Sequence, residues 1–284
     1  MKKNQKIVAL DQMMWIYLAE TYYGRNESQS ARYKLVLDKI LKSIESRSSI
    51  FPISIFTILE ATIHRNANHR KLFAEFVAKI SDGWVFLPPW KIVPQELENL
   101  ISDEKNREIQ FIRKADSKDD IVSLFLSGEK DFDFSKYNEK ISSYASTIEQ
   151  ARRNKIGKAY SRKALRYHYA RNMIIEIQNE LLILSQKYEK SVDELVKTMG
   201  QFENIPVLDV QLSLVVERDR NLDKPVDKND MVDVSFMSVA IPYADVVIAE
   251  KHWVNIANRT HLDSKYNVSV SQDLNELEGI LFRK

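Results

Sequence analysis

Apolar residues alternate between two periods along this chain, and the change of period marks out its elements. Ile7 to Leu10 is a short uninterrupted apolar run, the signature of a strand buried on both faces. Met14, Trp15 and Leu18 follow at helical spacing. A polar turn over 24–30 leads into a second helix over 31–46, then a strand at 50–53 ends beside Ser54, an N-cap type of residue. Helices at 55–64 and 69–81 and a strand at 84–87, stopped by Pro88 and Pro89, complete the pattern. Strands alternating with helices predict a parallel sheet covered by helices.

From residue 90 to 202 no strand is expected. Leu165, Tyr169, Met173, Ile177, Leu181 and Leu184 recur every three or four positions and predict one long helix over 161–188. Residues 116–134 read as loop or short helical pieces, and Gly200 ends a shorter helix. Helices follow at 207–217 and from Asn229 to Ala240, with a turn at Pro242 and Tyr243. A buried strand is expected at 246–248, then a helix at 253–258, a strand at 268–270 and a last helical piece at 274–280. The predicted organisation is an α/β domain built from residues 1–90 and 205–284, interrupted by an all-helical insertion over 91–204.

Composition removes several chemistries. The chain has no cysteine, hence no disulfide, thiolate zinc site or cysteine nucleophile, which suits a reducing, cytoplasmic setting. Its six glycines make neither a phosphate-cradling loop nor a nucleophile elbow, and its five histidines make no His-Glu-x-x-His pair. A phosphatase with an aspartyl nucleophile at Asp11 would carry a second Asp two residues on, where Met13 stands. No signal peptide and no membrane-spanning stretch is expected. The net charge of +2 decides nothing about partners.

Four acids stand in contexts that call for explanation. Asp11 follows the first strand, and Glu250 follows the strand at 246–248, so both fall at carboxyl ends, where open α/β sheets bind ligands. Glu60 lies among Phe56, Leu59 and Ile63. Asp233 has Phe236, Met237 and Ala240 at +3, +4 and +7, an apolar helix face where an unmet carboxylate is costly. Simpler roles exist: Asp11 as a helix cap, Glu60 as a solvated residue, Asp230 as a cap or an accessory group. Asp245 begins the strand that Glu250 follows, roughly 16 Å away at strand rise, too far to share one ion, so Glu250 is the candidate ligand and Asp245 at most accessory. Clustered carboxylates repel unless protonated or bridged by a cation, and an oxygen-only ligand set selects Mg²⁺ or Mn²⁺.

This ordered set resembles the PIN domain family: Asp11 after a first strand, Glu60 on a helix after a second, Asp233 in Asn-Asp-Met-Val-Asp, and the strand of Asp245-Val-Val-Ile-Ala-Glu250. The likeness spans 1–90 and about 205–284 and leaves the helical middle uncovered. It implies a three-layer α/β/α fold with a central parallel sheet. It also implies a metal-dependent endoribonuclease with Asp11, Glu60, Asp233 and Glu250 around one or two ions. The sequence departs at the last acid, where the family has Thr or Ser followed by Asp and this chain has Ala249-Glu250. A catalytically weak nucleic-acid-binding or regulatory protein, and a structure-specific DNA nuclease, stay open as alternatives.

Cations flank these acids. Arg65, His69, Arg70 and Lys71 follow Glu60, and Arg218, Arg220 and Lys224 precede Asp230. From Arg152 to Arg171 the chain carries eight cations, Arg162, Lys163 and Arg166 among them, and no acid, with Tyr160, Tyr167, His168 and Tyr169 interleaved. Such a run suits a phosphate backbone and unpaired bases, so RNA is the expected partner, with DNA possible. The same cations read equally as solvated surface. A homo-oligomer or a protein inhibitor is left open.

Overall fold

The computed structural model describes residues 5–62, 66–102, 107–127, 161–200, 202–220 and 225–281, together with 139, 141–143, 145, 146, 148–150 and 152. In chain order these form β1 (Lys6–Leu10), α1 (Gln12–Tyr23), α2 (Glu27–Glu45), β2 (Ser49–Ile50), α3 (Ile55–Thr62), α4 (Ala67–Ser81) and β3 (Trp84–Phe86). Next come α5 (Pro89–Ile101), β4 (Ile112–Lys114), α6 (Lys118–Ser127), α7 (Arg162–Glu176), α8 (Gln178–Tyr188), α9 (Val192–Met199), α10 (Pro206–Arg220) and α11 (Lys228–Tyr243). The chain continues with β5 (Val246–Ile248), α12 (Lys251–Arg259), α13 (Leu262–Tyr266), β6 (Ser269–Ser271), a 3₁₀ turn (Leu274–Glu276) and α14 (Leu277–Ile280).

The chain divides into two compact units. The first comprises Met1–Phe86, Ile112–Ile141 and Tyr243–Lys284, and the second Leu87–Phe111 and Ser142–Pro242. Residues 112–141 thus cluster with the α/β part, and 206–242 with the helical part.

The first unit is mixed α/β around a four-stranded, all-parallel sheet in the order β2-β1-β5-β6. β1 is central because Val8, Ala9 and Leu10 expose nothing to solvent, as a strand covered on both faces requires. Leu10 pairs with Ile248, which puts the carboxyl ends of β1 and β5 side by side. Trp15, Leu18, Val36, Ile40, Phe76 and Val77 pack into one core with Val8, Leu10 and Ile248. Gly24 ends α1 in the left-handed conformation (φ 62°), which a residue without Cβ adopts at no steric cost.

Several elements differ from the sequence reading. A strand does occur after residue 90: β4 pairs antiparallel with β3, but only Ile112 of its three residues is buried, too little alternation to recognise. β2 is two residues long, and Ile53 instead bridges to Val85, donating to the Trp84 carbonyl at 2.9 Å. The expected turn at Pro242 is the last turn of α11, where a missing N–H costs one helical bond at most.

The second unit is helical. The predicted helix over 161–188 is two helices, because Ile177 turns to φ −100°, ψ 14° between α7 and α8. Met173, Ile177, Leu181 and Leu184 are all buried, so the periodicity identified the buried face but not the bend. Glu96 of α5, itself buried, accepts the Val207 N–H through both carboxylate oxygens at 3.2 Å and so caps the start of α10.

Candidate metal and nucleic-acid site

Asp11 occupies the junction where β1 becomes α1. Its backbone N–H donates to the Ile248 carbonyl at 3.0 Å, continuing the β1–β5 ladder by one residue. Its side chain caps α1: Oδ1 accepts the Met14 N–H at 3.0 Å. The capping role and the ligand role are compatible, because the other oxygen is left over. Asp11 is 5% exposed, and its buried Oδ2 meets no hydrogen-bond partner. The carboxyl pKa is raised from 3.8 to about 7, by burial above all and by the nearby charge of Glu250. The backbone N–H groups of Met14, Glu250 and Met13 pull it down.

Glu250 stands at the N-cap position of α12 but makes no capping bond with its side chain, and it is exposed. Two parallel neighbouring strands therefore deliver a buried acid and an exposed one at the same edge of the sheet.

Glu60 is half-buried on α3. With the Gln12 amide nitrogen turned toward it, Gln12 donates to both Glu60 oxygens at 2.8 and 3.1 Å. Gln12, directly after Asp11 at the start of α1, is a site residue that the sequence does not single out. Asp233 lies in the second unit, half-buried on α11 while Phe236, Met237 and Ala240 are buried as expected.

The accessory acids have structural roles. Asp230 and Asp227 exchange bonds, the Asp230 N–H to Asp227 Oδ1 at 2.9 Å and the Asp227 N–H to Asp230 Oδ2 at 3.1 Å, so Asp227 is the cap and Asp230 closes the box. Asp245 accepts the Ile7 N–H through Oδ2 at 2.7 Å at the amino end of β5, the far end from Asp11.

Among the described residues, no three Asp, Glu or His side chains gather closely enough to hold a metal ion. Of the expected ligands, Asp11 and Glu250 stand at the same edge of the sheet, and both offer only oxygen donors, the kind a hard divalent cation takes.

The expected basic groups divide. Arg70, half-buried, and His69 and Lys71, exposed, lie on α4 of the first unit. Arg65, Arg153, Lys155, Lys158, Tyr160 and Lys224 lie outside the described residues. In the second unit, Arg218 is 3% exposed and donates to Asp219 Oδ1 at 2.7 Å, which puts it inside the unit and not on a basic flank. Arg220 pairs with Glu217 at 3.0 Å. Arg166 pairs with Asp209 at 2.8 Å, and Arg162 comes within 4.0 Å of Glu217, while Lys163 is exposed. Acids absent from the stretch around Arg162 are thus supplied by α10.

No family model, no curated protein and no solved structure matches this chain. Among the described residues, no helix is long and apolar enough to cross a membrane.

Proposed function

We propose that the first unit is a PIN-like domain and that the protein is a divalent-metal-dependent endoribonuclease. The observation that carries this reading is the buried Asp11 carboxylate at the carboxyl end of β1, whose Oδ2 makes no hydrogen bond of ordinary geometry, with the Glu250 and Met13 backbone N–H groups and the Glu250 charge close enough to move its pKa. An unmet buried carboxylate is expensive, and a cation removes the expense. Met14 N–H holds Oδ1, so Oδ2 is the oxygen that would serve as a ligand. Glu250, exposed, offers the second carboxylate, and Gln12 orients Glu60. Asp233 falls in the second unit and is not part of the proposed set. When bound, Mg²⁺ or Mn²⁺ supplies charge stabilisation to a phosphodiester and lowers the pKa of a water molecule.

A second reading, a nucleic-acid-binding or regulatory protein without strong catalysis, is favoured by one observation: the Glu60 carboxylate is already engaged by Gln12. Purified protein incubated with single-stranded RNA and with DNA, in Mg²⁺, Mn²⁺ or EDTA, separates the readings. Metal-dependent cleavage of RNA supports the nuclease. Binding without cleavage in every condition supports the second reading, and cleavage of DNA structures alone points to a DNA nuclease.

A further inference from the structure

α7 and α8 carry apolar residues on two faces, and only one of the faces is covered. Met173, Ile177, Leu181 and Leu184 are buried within the second unit. On the opposite side Ile175 is 63% exposed, Leu182 52% and Ile183 64%. Ile183 and Ile175 are the two most exposed large apolar side chains among the described residues. At helical spacing Ile175, Gln178, Asn179, Leu182 and Gln186 share one exposed stripe, with Ile183 at its edge. The chain is 29% charged, yet this stripe carries no charge between Arg171 and Lys187. Glu176 and Lys187 stand at its margin beside Ile183, and Lys187 is held by Glu98. Single apolar residues are normal on a surface, whereas a contiguous uncharged stripe with a polar margin is how an interface is built.

Symmetry, chemistry and area together restrict the occupant. The stripe is symmetric about its midpoint: Ile175 lies three residues before Gln178, and Leu182 three after Asn179. Turned end for end, it presents the same chemistry at the same places. Gln178, Asn179 and Gln186 each carry both donors and an acceptor, so amides that meet their own copies are satisfied, where like charges would repel. A phosphate backbone or an anionic bilayer needs cations, which the stripe lacks between Arg171 and Lys187. From Arg171 to Gln186 it is about 24 Å long at helical rise and about 10 Å wide, well under the roughly 800 Å² per partner of a standard interface. That area suits a weak, reversible contact and not a permanent one.

We propose that a second copy of this chain docks on this stripe, the α7–α8 segments of the two copies packing antiparallel about a twofold axis beside Asn179. Ile175 of each copy then covers Leu182 of the other, Ile183 packs at the edge, and the two Asn179 side chains face each other. Arg171 and Gln186 form the polar ends of the contact. The proposal is independent of the nuclease reading, because the stripe lies wholly in the second unit.

The test is sedimentation of the full chain over a concentration series from low micromolar to submillimolar. The parent should pass reversibly from one chain to two. Ile175→Lys and Leu182→Glu each put an unpaired charge into the contact and should each raise the dissociation constant at least about tenfold. Mixed in equal amounts, these two variants should dimerise again. The introduced ammonium of one then meets the introduced carboxylate of the other, and the second Ile–Leu contact is the parent's. Both positions are exposed, so melting temperatures should match the parent's. Asn179→Lys, which replaces one exposed polar side chain by another and sets like charges across the axis, carries the test if an aliphatic change lowers the melting temperature. A parent that stays a single chain throughout overturns the proposal and leaves the stripe to a different protein. A dimer as tight in Leu182→Glu and Asn179→Lys as in the parent puts the contact elsewhere and overturns it too. Ile175→Lys and Leu182→Glu proteins that stay single when mixed overturn the antiparallel pairing.

Discussion

Arg166 donates through Nη2 to Asp209 Oδ1 at 2.8 Å and through Nη1 to the Ser213 hydroxyl at 3.1 Å, so a single guanidinium ties α7 to two successive turns of α10. Asp209 is buried, and taking away the cation it pairs with leaves its charge less compensated where solvent screening is weak. Arg166→Gln should therefore cost about 3 kcal/mol of stability, measured by urea unfolding, before any effect on nucleic acid is considered. An unfolding midpoint equal to the parent's would show that Arg166 is a surface residue after all.

Tyr169 makes a related link, donating its hydroxyl to Asp219, which also accepts from Arg218. Burial, and then the Asp219 charge, push the phenol well above its usual pKa. Tyr169→Phe keeps the ring and loses the bond, an expected cost of about 1.5 kcal/mol near neutral pH. The raised pKa means that the folded state holds its proton while the unfolded tyrosine begins to ionise. The parent should therefore lose stability from about pH 10 upward, and the Phe variant should lack that part of the slope. Parallel stability curves for the two proteins above that pH would contradict the assignment.

These helices show where sequence reading succeeds and where it stops. Ile7 to Leu10 and Val246 to Ile248 were legible because a fully buried parallel strand must be uninterruptedly apolar. Asp11 was legible because a charge directly after such a run is conspicuous. The partners of Arg162, Arg166 and Arg218 were only partly legible. Asp219 adjoins Arg218 in sequence, but Asp209 and Glu217 reach α7 only when α10 packs against it. Gln12 was missed for a similar reason: an amide at the start of a helix says nothing until Glu60 is seen opposite it. The bend at Ile177 was hidden because one altered ψ leaves the apolar spacing intact.

The metal-free protein should carry a pH signature from Asp11. Its folded pKa, about 7, stands above the ordinary 3.8, chiefly through burial. The contribution is present below about pH 4 and lost as pH rises through 7, since the folded state keeps a proton that the unfolded state has released. The loss is on the order of 4 kcal/mol at most, by the usual conversion of pKa shift to free energy. Asp11→Asn retains a capping side chain and removes the titration. In EDTA it should be more stable than the parent at pH 7 and nearly level with it at pH 4. A variant less stable than the parent at pH 7 would mean that the carboxylate is held by a partner.

Divalent ions should reverse that order. Mn²⁺ at about 100 times its dissociation constant should stabilise the parent by about 2.7 kcal/mol, seen as a rise in melting temperature. The rise should shrink in Glu250→Gln and vanish in Asp11→Asn. Equal rises in all three proteins would place the ion elsewhere.

The measurement that bears most directly on the proposed nuclease compares the parent with Asp11→Asn on single-stranded RNA in saturating Mn²⁺, both proteins checked for an intact fold by melting. The parent should cut the strand, EDTA should stop it, and Asp11→Asn should lose at least about a hundredfold in rate, the usual scale for removing a ligand or charge-stabilising group from such a centre. An Asp11→Asn protein that cuts RNA as fast as the parent would contradict the assignment of the site.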